Sequence, residues 1–138
     1  MIQNTDLEEF DISKMYEVYD NWPKIAEKSY DTELKSIESL KINHIVFAGM
    51  GGSGALGDIF RTILDKTSIH TSIVKGYVLP KTVDKDTLVV VTSVSGNTQE
   101  TLSILKHAND LKCNLIAFSS GGKIEDYCKK EKIEYRKI

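Results

Sequence analysis

Short apolar runs and longer amphipathic stretches alternate from Ile45 to the end of the chain. Ile45-Val46-Phe47-Ala48, Ser72-Ile73-Val74, Leu88-Val89-Val90-Val91-Thr92 and Leu115-Ile116-Ala117-Phe118 have the length and branching of buried strands, and Ile133 to Ile138 suits a fifth. Between them Ala55, Leu56, Ile59, Phe60, Ile63 and Leu64 recur at helical spacing, as do Leu102, Leu105 and Ala108. A short charged helix is expected from Lys123 to Lys132, with Ile124, Tyr127 and Cys128 facing inward. Tyr77 to Asp86 is a connection interrupted by Pro80. Strands that alternate with helices predict an α/β domain: a three-layer αβα arrangement around a five-stranded parallel sheet.

The N-terminal part has a different texture. Met15, Val18, Tyr19 and Trp22 are spaced by three and four, after which Pro23 breaks the pattern and suits the first position of a new helix. Ile25, Ala26, Tyr30, Leu34, Ile37 and Leu40 continue less regularly. Two helices with a bend near Asn21 to Pro23 are expected. Residues 1–42 therefore read as an N-terminal helical segment and 43–138 as the α/β domain. The apolar stripe of the helices has to cover either the sheet or another subunit.

Composition narrows the class of partner. The 138 residues are 41% hydrophobic and 28% charged, which suits one globular domain. A net charge of −2 advertises neither nucleic acid nor an anionic membrane. No apolar run approaches the roughly 20 residues of a membrane helix, and the acidic start from Met1 to Glu9 is wrong for a signal peptide. Cys113 and Cys128 fall in no metal spacing and suggest reduced thiols of a cytoplasmic protein. The chain stops at Ile138 inside a strand-like run, which raises the expectation of a fragment.

Two loops carry the candidate chemistry. Ser93-Val94-Ser95-Gly96-Asn97-Thr98 lies where the third strand ends and a helix begins. The first N–H groups of a helix have no intrahelical partner, and the dipole there is positive, so such a place takes up phosphate without lysine or arginine. Ser93, Ser95 and Thr98 would add hydroxyl donors to backbone N–H groups from Gly96, Asn97 and Thr98. The competing reading is a plain cap: Asn97 as N-cap with Glu100 as its capping-box partner. Gly49-Met50-Gly51-Gly52-Ser53-Gly54 follows the first strand. In the common strand order 2-1-3-4-5, the first and third strands are neighbours at the reversal of strand order, so both loops border one crevice. Gly49, Gly51 and Gly54 also match a dinucleotide fingerprint. That fingerprint wants an acidic residue about 20 positions on, yet no Asp or Glu occurs between Asp65 and Asp84, and the second strand runs into Lys75 and Gly76. Close backbone approach of Gly51, Gly52 and Ser53 to a small polar ligand is the better reading, with no dinucleotide cofactor.

The pairing of G-M-G-G-S-G after the first strand with S-x-S-G-N-T after the third resembles the sugar isomerase (SIS) fold, and within it the bifunctional phosphoglucose/phosphomannose isomerases. The resemblance covers the whole chain but about the first half of a family member, since such enzymes carry two SIS domains. Val94 stands where a tyrosine is often seen. By this resemblance Ser93, Ser95 and Thr98 bind the substrate phosphate, while Gly51, Gly52 and Ser53 contact the sugar. The reaction implied interconverts glucose 6-phosphate or mannose 6-phosphate with fructose 6-phosphate, without a metal, through ring opening and a cis-enediol. The glutamate base, the ring-opening histidine and a phosphate-side arginine of the family lie beyond the stretch corresponding to Ile138. A second SIS domain or a homodimer partner is therefore implied.

The chain's own acids and bases are poorly placed for that chemistry. Glu100 sits in the first turn of a helix, where acids favour the dipole and would repel a phosphate. His44 is expected at the end of the first strand away from the crevice, His70 in a connection and His107 on a helix surface. A non-catalytic sugar-phosphate sensor is the reading from another class; the acidic-to-neutral N-terminal helices speak against DNA contact.

Overall fold

The computed structural model describes residues 10–33 and 41–138. The chain divides into two compact units, Met1–Glu38 and Ser39–Ile138.

In the first unit, helix α1 spans Met15–Tyr30. The Tyr16 N–H donates to Asp11 Oδ2 at 2.9 Å, anchoring its first turn. The helix runs through Pro23 as one element, so the expected division into two helices near Asn21 to Pro23 is not found. Proline costs one i→i−4 bond but its fixed φ is compatible with a helix, and the turns on either side continue. Asn21 Nδ2 donates to the Glu17 carbonyl at 2.7 Å just ahead of it. Tyr19 and Trp22, one turn apart, meet edge to face at 4.7 Å. Leu34, Ile37 and Leu40 lie outside the described residues.

The second unit is the α/β domain. Its elements are β1 (His44–Ala48), α2 (Gly51–Leu64), β2 (His70–Val74), β3 (Thr87–Thr92), α3 (Gln99–Asp110), β4 (Asn114–Ser119), α4 (Gly122–Glu131) and β5 (Glu134–Lys137). All four strand pairings are parallel, in the order β2-β1-β3-β4-β5. This is the order expected from the sequence, with β2 starting two residues earlier than its apolar run. Helix α2 packs on β1 and β2, α3 on β3 and β4, and α4 on β4 and β5. Right-handed crossovers leaving the centre in opposite directions place α2 on one face and α3 with α4 on the other.

The core is where β-branched strand residues meet the inner faces of α3 and α4. Val46, Val89, Val91, Ile104, Leu105, Ile124 and Cys128 are fully buried. Ile124 and Cys128 face inward as expected, and Tyr127 is half-buried. Burial pushes the Cys128 thiol up to about 11, leaving it an inert apolar side chain. Helix α2 meets the sheet differently: its buried residues are Gly54 and Gly57, while Leu56, Ile59, Phe60 and Ile63 stay exposed. A side chain at position 57 would begin 2.8 Å from Phe47 Cβ.

Thr101 and Thr71 bury hydroxyls that have no hydrogen-bond partner. Leaving a buried hydroxyl unpaired costs about 1–3 kcal/mol, and an isosteric methyl removes that cost. Thr101→Val is therefore expected to stabilise the domain by about 1 kcal/mol. A calorimetric melting temperature at or below that of the wild type would contradict it.

Candidate functional site

Strands β1 and β3 lie side by side in the sheet, with Ala48 opposite Val91. Their C-terminal ends deliver both candidate loops to the switch point of the strand order, where open parallel sheets bind ligands. The two loops touch: a Cβ at Gly49 would lie 3.0 Å from the Thr92 carbonyl oxygen. The four residues from Gly51 to Gly54, expected as loop, form the first turn of α2, which closes on the end of β1: a Cβ at Gly54 would sit 2.6 Å from the Gly49 oxygen. Gly51 and Gly52 are exposed and face open space, with nothing within 4 Å of their Cβ positions.

The second loop is built around its hydroxyls. Ser93 is buried, and its Oγ shares a hydrogen bond of 3.0 Å with Thr98 Oγ1. Ser95 and Asn97 are exposed and Thr98 is half-buried. The Gly96 N–H donates to the Ser93 carbonyl and the Asn97 N–H to Ser95 Oγ at 3.3 Å. Those two N–H groups therefore shape the turn rather than point freely at a ligand. The capping box of the competing reading is not formed. Helix α3 starts one residue later, with Thr98 as N-cap, and no side chain caps it. Thr98 turns its hydroxyl to Ser93 instead, leaving the first-turn N–H groups of α3 without the side-chain acceptor that usually satisfies them.

A third loop, which carried no assignment from the sequence, holds the second in shape. It joins β4 to α4. The Ser120 N–H and hydroxyl both donate to the Val94 carbonyl, at 3.0 and 2.5 Å. The Lys123 N–H donates to Asn97 Oδ1 at 3.2 Å and the Ile124 N–H to the Gly96 carbonyl at 3.0 Å. Gly96 has φ of +65°, and a Cβ there would lie 1.7 Å from the Gly121 carbonyl oxygen. Ser119 supports this contact by donating to that same oxygen at 2.8 Å. The available signal was Ser119-Ser120-Gly121-Gly122 at the end of a strand, in the same topological position as the other two loops.

The remaining candidates are elsewhere. Glu100 is half-buried in the first turn of α3 and His107 is exposed in its last turn. Lys75, just beyond β2 where the fingerprint wants an acidic residue, is ion-paired to Asp58 at 2.6 Å. His44 and His70 open β1 and β2, at the edge of the sheet opposite the loops. Burial, and then the neighbouring His70, hold the His44 pKa below its usual value. Among the described residues no group of three or more His, Cys, Asp or Glu is arranged to hold a metal ion, and no helix is long and apolar enough to cross a membrane.

These features define an open, doubly wound α/β domain with a hydroxyl-lined, uncapped helix start at the switch point of its strand order. The SIS domain model matches residues 40–128, and the chain belongs to that family. A bifunctional phosphoglucose/phosphomannose isomerase of Caldicellulosiruptor bescii is 36% identical over 121 residues, which are 85% of this chain and 36% of that protein. A D-glucosamine-6-phosphate 4-epimerase of Sulfolobus acidocaldarius is 32% identical over 113 residues, 81% of this chain and 35% of that protein. The solved structure of MJ1247 from Methanococcus jannaschii, inferred to be a 3-hexulose-6-phosphate isomerase, superposes with a TM-score of 0.57 at 26% identity. That match covers 71% of this chain and 52% of MJ1247. The chain spans about a third of the length of these two curated relatives.

Proposed function

We propose that this chain supplies the sugar-phosphate-binding loops of an aldose–ketose isomerase that interconverts glucose 6-phosphate or mannose 6-phosphate with fructose 6-phosphate. One observation carries the reading: α3 begins without a side-chain cap while its N-cap hydroxyl joins Ser93 beside it. Phosphate oxygens accept from the first-turn N–H groups and from the Ser93, Ser95 and Thr98 hydroxyls. Gly51, Gly52 and Ser53, in the first turn of α2 beyond the neighbouring strand β1, take the sugar.

The proton transfer between C1 and C2 is metal-independent and passes through a cis-enediol. It needs a base within hydrogen-bond reach of the substrate, and the base and ring-opening residue come from a second SIS domain or a homodimer partner. The relatives support this division. An isomerase and an epimerase, with different bonds to make, both share this third of their chain with the present sequence. A part that resembles both an isomerase and an epimerase suits a handle on a phosphosugar better than reacting groups, which differ between the two reactions. A cytoplasmic setting follows from such a substrate.

Thermal-shift titrations with fructose 6-phosphate, glucose 6-phosphate, inorganic phosphate and NAD test the proposal. A ligand at 100 times its Kd adds about 2.7 kcal/mol to the folded state. The sugar phosphates are expected to raise the melting temperature, and Ser93→Ala/Ser95→Ala to remove that rise. Stabilisation by NAD alone would make the glycine loop a dinucleotide site and overturn the reading. Full isomerase turnover by monomeric residues 1–138 would overturn the claim that the reacting groups lie elsewhere.

A further inference from the structure

His44 and His70 are register partners on adjacent parallel strands, at the end of the sheet far from the sugar-phosphate crevice. Their rings lie 4.6 Å apart between centroids. Both Nε2 atoms converge on the Ser72 hydroxyl, at 3.0 Å from His44 and 3.4 Å from His70. One hydroxyl has a single proton to give, so it cannot donate to both nitrogens.

The other side of His44 leads to a carboxylate. The Asp84 carboxylate only accepts, so Thr87 donates its hydroxyl proton to Asp84 Oδ1, at 2.9 Å. Thr87 Oγ1 already accepts the Asp84 N–H at 3.0 Å. Towards the ring it can only accept again, and it faces His44 Nδ1 at 3.5 Å. A proton on Nδ1 suits this chain of contacts, and it leaves the Nε2 lone pair facing Ser72 and His70. An imidazole whose outer N–H leads to a carboxylate while its other nitrogen faces a second imidazole is the arrangement of an oriented metal ligand.

We propose that His44 Nε2 and His70 Nε2, with Ser72 Oγ beside them, form a binding site for a divalent transition-metal ion of the zinc type, tying β1 to β2. A tetrahedral ion about 2.0–2.1 Å from each imidazole nitrogen takes its remaining ligands from the serine hydroxyl and water. His70 is exposed and gives the ion its path in from solvent. Thr87 and Asp84 are positioning residues that hold the His44 ring. The site is independent of the sugar-phosphate reading and survives its failure.

Calorimetric titration of zinc chloride into tag-free protein tests this, with His70→Ala and the exposed His107→Ala compared. Natural-abundance or labelled histidine NMR follows the ring nitrogens. One equivalent is expected to bind and to shift both Nε2 resonances. Affinity is expected to fall by about tenfold or more in His70→Ala and about tenfold in Asp84→Asn, and to stay unchanged in His107→Ala. Absence of binding by the wild type, or binding indifferent to His70→Ala, would overturn the site. Binding indifferent to Asp84→Asn would overturn the positioning role.

Discussion

Gly96→Ala is expected to abolish stabilisation by sugar phosphates and to destabilise the domain by more than about 2 kcal/mol. Two independent faults combine. The φ of +65° puts any L side chain in the left-handed region, at about 1–2 kcal/mol. The new methyl would also begin 1.7 Å from the Gly121 carbonyl oxygen and 2.7 Å from its carbon. Both are backbone atoms, so no rotamer change relieves the overlap; the loops have to separate. Separation loosens the Ile124 and Lys123 N–H bonds to the Gly96 carbonyl and Asn97, and with them the position of Ser95. Ligand-dependent thermal shifts and amide exchange over 93–98 measure the two parts. Wild-type stability together with an undiminished fructose 6-phosphate shift would contradict both.

Ile104→Ala separates fold from site. Ile104 is fully buried on the inner face of α3, and its truncation is expected to cost about 2–5 kcal/mol through lost burial and the cavity left behind. Against a typical total of about 5–15 kcal/mol, that is a large fraction, readable in a urea midpoint. Yet Ile104 lies more than a turn along the helix from the Ser93 and Thr98 hydroxyls. The free-energy increment from a saturating sugar phosphate is therefore expected to match that of the wild type. Loss of the increment along with the stability would show that the loop and the core are one cooperative unit.

The sheet was legible because its strands are short, β-branched and separated by periodic helices, a pattern with few alternatives in parallel form. Strand order came from the habits of such folds, and it placed Gly49 to Gly54 beside Ser93 to Thr98. The two motifs also carried the family resemblance, and the family model covers 40–128. Local rules failed where a distant partner decided. Asn97 has the side chain of an N-cap, but the structure turns its Oδ1 to Lys123 N–H, 26 residues away. Thr98 takes over the cap position without capping because Ser93 holds its hydroxyl. Pro23 reads as a break because its missing N–H is visible in the sequence, whereas the continuity of the turns around it is not. The histidine pair escaped notice for a similar reason: His44 and His70 become neighbours through strand register alone.

The clasp of the β4–α4 loop on the Ser93–Thr98 loop changes how affinity is apportioned under the proposed function. A flexible hydroxyl loop would lose its freedom at the moment a ligand arrived, and each immobilised residue would subtract from binding. Here Ser120, Lys123 and Ile124 fix Val94, Gly96 and Asn97 as the chain folds. The ordering entropy is charged to the folding equilibrium, and the intrinsic affinity for a small anion is correspondingly undiluted. If the proposed function holds, encounter with a phosphosugar requires no rearrangement of the Ser93–Thr98 loop, and its capture is limited by diffusion and orientation rather than by a conformational gate.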